Sequence, residues 1–267
     1  MKLISITSGK GGVGKTTLTC NLAVALAELN QKVLIIDGDL GMANVDIFFG
    51  VRPKYTIEDL VKGISIGECV TPALNRIDVL AGGSGLYHLT QMNAFQRREM
   101  MNQVSELKFK YDYALIDTAP GLHDYVLHLN SVADQCLVVL TQDPSSFADA
   151  YALIKVLQQK YKTQNFKVVC NLIEGHYGES LFVRFSEVVE KFLPVRLSYL
   201  GSLPLDIQLK KIQQMQRLAL RHDSEIPTAK IFRQFAVDLI DEPVCTDLTA
   251  SLSKGLEGIF SPVAGHA

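Results

Sequence analysis

Nine residues near the amino terminus have the types and spacing of a phosphate-binding loop. The pattern GxxxxGK[ST] runs from Gly9 to Thr16, after a short aliphatic run and before a segment of helical period. Glycines let backbone N–H groups turn toward phosphate oxygens, and a helix N-terminus adds a favourable dipole. We expect Lys15 to reach the β- and γ-phosphates and the Thr16 hydroxyl to bind Mg²⁺. The predicted nucleotide-binding residues here are Gly9, Lys10, Gly11, Gly12, Val13, Gly14, Lys15, Thr16 and Thr17.

Three aspartates follow predicted strands and could complete the site. Asp37 and Asp39 lie at the end of the second aliphatic run, and Asp117 ends the run from Tyr113. Carboxylates at the carboxyl ends of parallel strands face the ligand crevice, where they can hold Mg²⁺ waters or orient an attacking water. Asp117, at the end of an apolar strand, has the form of a Walker B aspartate. Without the phosphate loop, Asp37 and Asp39 would be better interpreted as turn residues.

Two later segments are candidates for contact with the base. Asn171 ends a late strand, and the stretch 201–206 follows another, so both should border the same crevice. For Asn171, a base contact and a strand-end cap both remain open. The guanine-reading NKxD motif is absent from the sequence, which favours ATP over GTP.

These candidates depend on a regular alternation of elements along the chain. Short β-branched or aliphatic runs alternate with longer segments of helical period, in which 18–29 and 150–161 each have one apolar face. This alternation predicts an α/β fold with a doubly wound, mostly parallel sheet and helices on both faces. The strand candidates are Leu3–Thr7, Val33–Asp37, Ile77–Leu80, Tyr113–Asp117, Cys136–Leu140, Lys167–Asn171 and Leu197–Leu200.

Composition narrows the class of protein further. The 267 residues are 48% hydrophobic and 20% charged, as in an ordinary globular domain. The net charge of −2 gives no global attraction to nucleic acid or anionic lipid, so such binding would need a local basic patch. Five cysteines without a CxxC pair predict a reducing compartment. Without a signal peptide or an apolar stretch of ~20 residues, we expect a cytoplasmic protein.

The loop KGGxGKTT resembles the deviant phosphate loop of the MinD/ParA family of ATPases, and the resemblance covers about residues 1–240. It implies a P-loop NTPase fold that hydrolyses ATP slowly with Mg²⁺ and forms a homodimer with ATP. Lys10 would cross the dimer interface to the partner's nucleotide, since Lys15 already serves the phosphates within one subunit. Asp39 would position the hydrolytic water and Asp37 would help to organise Mg²⁺. The stretch DTAPG would place Gly121 near the γ-phosphate, and the adenine contacts would come from Asn171, Pro204 and Asp206.

Within that family, the stretches 41–46 and 143–155 look like the FlhG/FleN branch, which sets flagellar number and placement in bacteria. This resemblance implies regulation through a flagellar transcriptional activator or a flagellar GTPase. Many members of the branch carry an N-terminal DQAxxLR motif that stimulates the GTPase. The present sequence begins at its first strand, so the resemblance does not extend to activation of the GTPase, whereas binding of a flagellar transcriptional activator stays open.

Other functions remain alternatives. A ParA-like DNA-partition ATPase would need a basic patch, which Lys210, Lys211, Arg217 and Arg221 could form, although such charges usually make a solvated face. We therefore do not expect DNA as the partner. A MinD-like cell-division positioning ATPase is a further alternative. A metabolic P-loop enzyme is disfavoured because the sequence offers no second catalytic constellation.

The carboxyl-terminal segment, residues 241–267, is predicted to be a linker followed by an amphipathic helix. Leu248, Leu252, Leu256, Ile259 and Phe260 would share one helical face. The membrane-targeting helices of MinD and FlhG relatives imply peripheral binding to inner-membrane lipid in the ATP state. Docking in a groove of its own domain is an equal alternative, because Lys254 is the only lysine or arginine after Arg233.

Overall fold

A computed structural model of the chain describes residues 1–39, 44–82, 102–103 and 106–241. Eight strands form one sheet in the order β3-β4-β2-β5-β1-β6-β7-β8, parallel except for the antiparallel pair β3 and β4. This doubly wound sheet confirms the predicted fold class. The strands are β1 Lys2–Thr7, β2 Val33–Gly38, β3 Val70–Leu74, β4 Ile77–Leu80, β5 Tyr113–Thr118, β6 Gln135–Leu140, β7 Asn165–Ile173 and β8 Arg196–Pro204.

Helices cover both faces of the sheet, and three buried clusters fill the space between the layers. The helices of the described residues are α1 Lys15–Glu28, α2 Val45–Phe49, α3 Ile57–Val61, α4 Ile66–Cys69, α5 Asp124–Val132, α6 Pro144–Tyr161, α7 Gly178–Phe192, α8 Ile207–Gln214, α9 Ala219–His222 and α10 Pro227–Asp241.

All seven predicted strands are present, and β3 is the strand that the sequence did not predict. It contains Pro72 and lies at one edge of the sheet, where its residues are half-buried or exposed. An edge strand tolerates proline because one side of its backbone needs no ladder hydrogen bonds. The continuous apolar run that marks a core strand is missing from this stretch.

Helix α1, which follows the phosphate loop, is buried on nearly all sides. We expected a single apolar face, but Thr19 and Asn21 are buried together with Leu18 and Leu22. The expectation was wrong because α10 packs against the side of α1 that faces away from the sheet, with Phe232 in the same cluster.

The strand order reverses around β1, which lies between β5 and β6. In open parallel sheets a ligand crevice forms outside the carboxyl ends of the strands at such a point. The loop after Thr7 therefore opens into that crevice.

The cysteines of the described residues, Cys20, Cys69, Cys136 and Cys170, are buried free thiols. Cys245 lies outside the described residues. Within those residues, none of the helices has the length and apolar character needed to span a bilayer.

Candidate functional site

The phosphate loop adopts a conformation that depends on its glycines. Gly12 and Gly14 have φ angles of 76° and 94°, in the left-handed region that favours glycine. At Gly14 a Cβ atom would also collide with the Asn171 amide nitrogen. Gly14 is the N-cap of α1, and its backbone carbonyl accepts a bond from Leu18 N. The first N–H groups of α1 are thus turned toward the crevice, as phosphate binding requires.

Lys15 lies at the head of α1 with its side chain mostly buried. Its Nζ donates to Ser8 Oγ at 3.0 Å, and the residue is only 7% exposed. Burial lowers the pKa of Lys15, and the negative charges of Asp117 and Asp39 oppose that shift. A phosphate would supply the further counter-charge that this buried cation calls for.

Asp117 is the last residue but one of β5 and lies beneath the loop. Its two carboxylate oxygens accept bonds from Thr16 Oγ1 at 2.6 Å and from Thr19 Oγ1 at 3.2 Å. Burial raises the pKa of Asp117 to about 7, because nearly all water is removed from around the carboxylate. A cation at this position would stabilise the ionised form.

Asp37 and Asp39 are only two residues apart, but their environments differ. Asp37 is buried and accepts backbone bonds from Asp39 N, Asn44 N and Val45 N at 3.1, 3.1 and 3.2 Å. Burial raises its pKa to about 6. Asp39 lines the cavity instead. Asp37 therefore anchors the chain on either side of 40–43, which lies outside the described residues, and Asp39 is the carboxylate that faces the cavity.

The donor set fits a magnesium ion. The Thr16 hydroxyl and the Asp117 carboxylate are hard oxygen groups held 2.6 Å apart, with the buried Asp37 on the neighbouring strand. Mg²⁺ binds through one or two such groups and keeps several waters. Burial raises the pKa of both aspartates, and a bound divalent cation would stabilise their ionised forms.

Lys10 has partners within its own subunit. Its Nζ donates to Asp143 Oδ2 at 2.5 Å and to Ser145 Oγ at 2.6 Å. Asp143 is the N-cap of α6, and its pKa falls to about 2 because Lys10 and Ser145 donate to it. The three residues meet because β6, which precedes Asp143, lies beside β1 in the sheet.

A cavity of about 620 Å³ joins the loop to the predicted base-binding segments. Asn171, Pro204 and Asp206 all line it, as expected from their positions near the end of β7, at the end of β8 and in the turn that follows β8. Asn171 Nδ2 donates to Val13 O at 2.7 Å, and its Oδ1 accepts from Leu172 N at 2.8 Å. The side chain therefore ties the phosphate loop to β7, and it is not a strand-end cap because β7 continues past Asn171 to Ile173.

The Asp206 carboxylate is also fully used inside the protein. One oxygen caps α8 by accepting from Gln208 N and Leu209 N, and the other accepts the Thr228 hydroxyl. Leu172, Pro204 and Leu205 also line the cavity and present apolar groups that can pack on a base.

Several cavity residues were not predicted from the sequence. Asn44, Ile47 and Phe48 line the side formed by α2, and Gln213 lines the side formed by α8. Gly121 has a φ of 99°, and its N–H bonds to Ser8 O at 3.2 Å, which holds it against the loop. No motif marks Ile47, Phe48 or Gln213, because their position depends on how short helices fold back over the crevice.

Comparisons with known proteins agree with this geometry. Residues 1–170 match the AAA_31 family of AAA domains. The antiactivator FleN of Pseudomonas aeruginosa is 34% identical over 81% of this chain and 78% of that protein. The septum site-determining protein MinD of Bacillus subtilis is 34% identical over 95% of this chain and 94% of its own length. A solved structure of MinD with Mg-ADP from Pyrococcus horikoshii matches with a TM-score of 0.70 and 28% identity, covering 90% of this chain and 96% of that one.

Proposed function

This chain belongs to the AAA_31 family, in its MinD/ParA-type branch with FleN and FlhG, and from that premise we propose that it is an ATP-gated dimerising switch in flagellar regulation. The observation that carries the proposal is that Lys15 and Thr16 line one cavity together, with the buried Asp117 carboxylate bonded to the Thr16 hydroxyl. The base-facing segments border the same cavity. A cavity with a cationic, hydroxyl-lined end and a partly apolar end suits a nucleoside triphosphate.

Hydrolysis would depend on five side chains of this site. Lys15 would hold the β- and γ-phosphates, and Thr16 with Asp117 and Asp37 would hold Mg²⁺, which neutralises phosphate charge when bound. Asp39, which faces the cavity, would orient the attacking water. Turnover would be slow and would await a partner, so that hydrolysis acts as a timer.

Dimerisation would follow from a change of partner at Lys10. In one subunit Lys10 is held by Asp143 and Ser145, and it is 41% exposed. ATP bound between two subunits would place a triphosphate near Lys10, and the triphosphate carries more negative charge than the Asp143 carboxylate. A ligand that contacts both subunits stabilises the dimer relative to the monomers.

Two variants test the assigned roles. Lys15→Ala should abolish ATP binding because it removes the cation that faces the phosphates. Asp39→Ala should bind ATP and lose turnover, because the phosphate loop stays intact. Radiolabelled ATP measures both properties, and Asp46→Ala, which changes an aspartate that does not line the cavity, is the matched control. Normal hydrolysis by the Asp39 variant would refute the water-positioning role.

The biological output would be control of flagellar number or placement. FleN is described as an antiactivator, so a flagellar transcriptional activator is the proposed partner, with a flagellar GTPase as the second candidate. A role in cell-division positioning is the alternative, supported by the MinD relatives. Deleting the gene and counting flagella by electron microscopy separates them: an altered count supports the proposal, and an unchanged count contradicts it.

We further propose two functional parts and a cytoplasmic location. Residues 1–240 would form the ATPase domain, whose last helix α10 ends at Asp241. Residues 241–267 would form a linker and an amphipathic segment that binds inner-membrane lipid when two copies are presented together. The predicted apolar face of that segment lies outside the described residues.

A further inference from the structure

The segment from α8 to α9 carries a concentrated positive charge. Residues 207–222 include Lys210, Lys211, Arg217 and Arg221 but no aspartate or glutamate, in a chain whose net charge is −2. All four side chains are exposed. We call this segment the basic surface.

These cations have no carboxylate partners among the described residues. None of the ion pairs of the described chain includes Lys210, Lys211, Arg217 or Arg221. The one side-chain contact of Arg217 is to another basic group, with its Nη1 3.2 Å from His222 Nδ1. Four exposed cations without carboxylate partners in the described part of the chain form a surface that is electrostatically complementary to an acidic molecule.

Exposed apolar side chains lie among these charges. Ile207 is 69% exposed and Met215 57%, at the two ends of α8, and Leu205 just before it is 47% exposed. A nucleic-acid backbone offers phosphates but little to pack against aliphatic side chains. An acidic protein segment that also carries apolar residues matches both properties of the surface.

The basic surface is joined to the nucleotide cavity and to α1 by side-chain hydrogen bonds. Gln213 Nε2 donates to Thr17 Oγ1 at 2.9 Å, and both residues line the cavity. Asn21 of α1 accepts from the N–H groups of Ala219 and Leu220 at the start of α9, at 2.9 and 3.4 Å. The helix that begins at the phosphate loop therefore holds α8 and α9 in position from the inside.

We propose that the basic surface is the docking site for an acidic, amphipathic segment of a partner protein, and that the Gln213–Thr17 bond couples docking to the bound nucleotide. The identification of a regulatory site rests on the proposed switch function. The charge and apolar exposure that define the docking site do not depend on that function.

The probe for docking is a synthetic peptide about five helical turns long, with glutamate and leucine at helical spacing. Its counterpart has glutamine in place of every glutamate. The reversal variant Lys211→Glu, Arg217→Glu, Arg221→Glu leaves Lys210 unchanged because Lys210 lines the cavity. The control variant Lys54→Glu, Lys110→Glu, Arg196→Glu makes the same change in net charge at exposed positions elsewhere.

Fluorescence anisotropy with the full chain measures binding of both peptides. The wild type and the control variant should bind the acidic peptide similarly, and the reversal variant should bind it about tenfold more weakly or worse. The glutamine peptide should bind weakly to all three proteins. Equal binding of the acidic peptide by the reversal and control variants would overturn the docking site.

Competing occupants are tested with the same variants. The reversal variant should not weaken binding of a DNA duplex or of phosphatidylglycerol vesicles more than it weakens binding of the acidic peptide. If the reversal variant lost binding only to DNA or only to vesicles, that ligand would replace the protein partner and the proposal would be overturned. ATP-dependent dimerisation and hydrolysis should be unchanged in the reversal variant, and a loss of dimerisation would make this surface a subunit interface instead.

The coupling has its own measurement. At saturating nucleotide, the peptide dissociation constants with ATP and with ADP should differ by about fivefold or more in the wild type. Gln213→Ala should bring that ratio close to one while the peptide still binds. A ratio of one in the wild type would overturn the coupling, even if the ATPase and the dimer behave as proposed.

Discussion

Lys10 and Lys15 belong to the same loop, yet their surroundings suit different tasks. Lys15 is 7% exposed beside Ser8 and two aspartates, a fixed position for a residue that meets phosphate. Lys10 is 41% exposed and pairs with Asp143 at the surface. An exposed ion pair of this kind contributes little to the free energy of folding, so Lys10 can exchange Asp143 for another anion. Lys10 is thus suited to a role that changes with the state of the protein.

Asp143→Asn should favour ATP-driven dimerisation by removing the charge that holds Lys10. Asparagine preserves the N-cap of α6, so the helix should remain intact. Because an exposed ion pair is weak, we expect the dimer dissociation constant with ATP to fall only about two- to fivefold, as measured by sedimentation. Asp124→Asn, which breaks the exposed pair with Lys160, is the matched control and should have no effect. A weaker dimer in Asp143→Asn would contradict the release of Lys10.

At the residue scale, sequence predicted the groups that belong to contiguous motifs. Lys15, Thr16 and Asp117 meet as their spacing and strand positions indicated. The partner of Lys10 could not be predicted because Asp143 lies 133 residues away, and only the adjacency of β1 and β6 brings them together. The sequence also did not indicate that the carboxylates of Asp37 and Asp206 accept backbone hydrogen bonds, because such partners depend on local loop geometry.

At the scale of elements, α6 packs so closely on the phosphate loop that Gly9 has no room for a side chain. A Cβ at Gly9 would lie 2.5 Å from the backbone of Asp149 in α6. Gly9→Ala should therefore lower the free energy of unfolding by ~1–3 kcal/mol, as overpacking does. It should also weaken ATP binding, because α6 or the loop must move. Urea unfolding and nucleotide titration measure the two effects.

Gly67→Ala is the matched control for that substitution. Gly67 lies within α4, and a Cβ there would meet no atom within 4 Å. The change should leave ATP binding intact and raise the free energy of unfolding by ~0.4–1 kcal/mol, since it restricts the unfolded chain. Equal stability of the two alanine variants would contradict the tight packing of α6 on the loop.

Elements with a strong periodic signal were predictable, and those defined by their neighbours were not. The aliphatic runs became β1, β2 and β5 to β8 because strands covered on both faces need apolar residues throughout. The edge strand β3 lacked that signal. The burial of α1 on all sides depends on its packing against α10, which begins about 200 residues later in the chain. The sequence of α1 alone could therefore not indicate it.

At the scale of the whole molecule, the carboxyl-terminal segment should act only when two copies are close together. We expect the full chain to sediment with anionic liposomes in ATP more than in ADP, and a version ending at Glu242 to sediment in neither. A single marginal helix binds weakly, and pairing two of them raises the effective concentration of the second. Equal sedimentation of all four samples would eliminate the membrane role and leave the segment to pack on its own domain.

The central claim is that ATP converts monomers into a dimer through Lys10. The most direct measurement is the molar mass by light scattering of Asp39→Ala, which should retain bound ATP. With ADP we expect 29.5 kDa, and with ATP and Mg²⁺ twice that mass. Adding Lys10→Ala should keep the protein at the monomer mass with ATP bound. A monomer mass for Asp39→Ala with ATP bound, or a dimer of unchanged affinity without Lys10, would contradict the account.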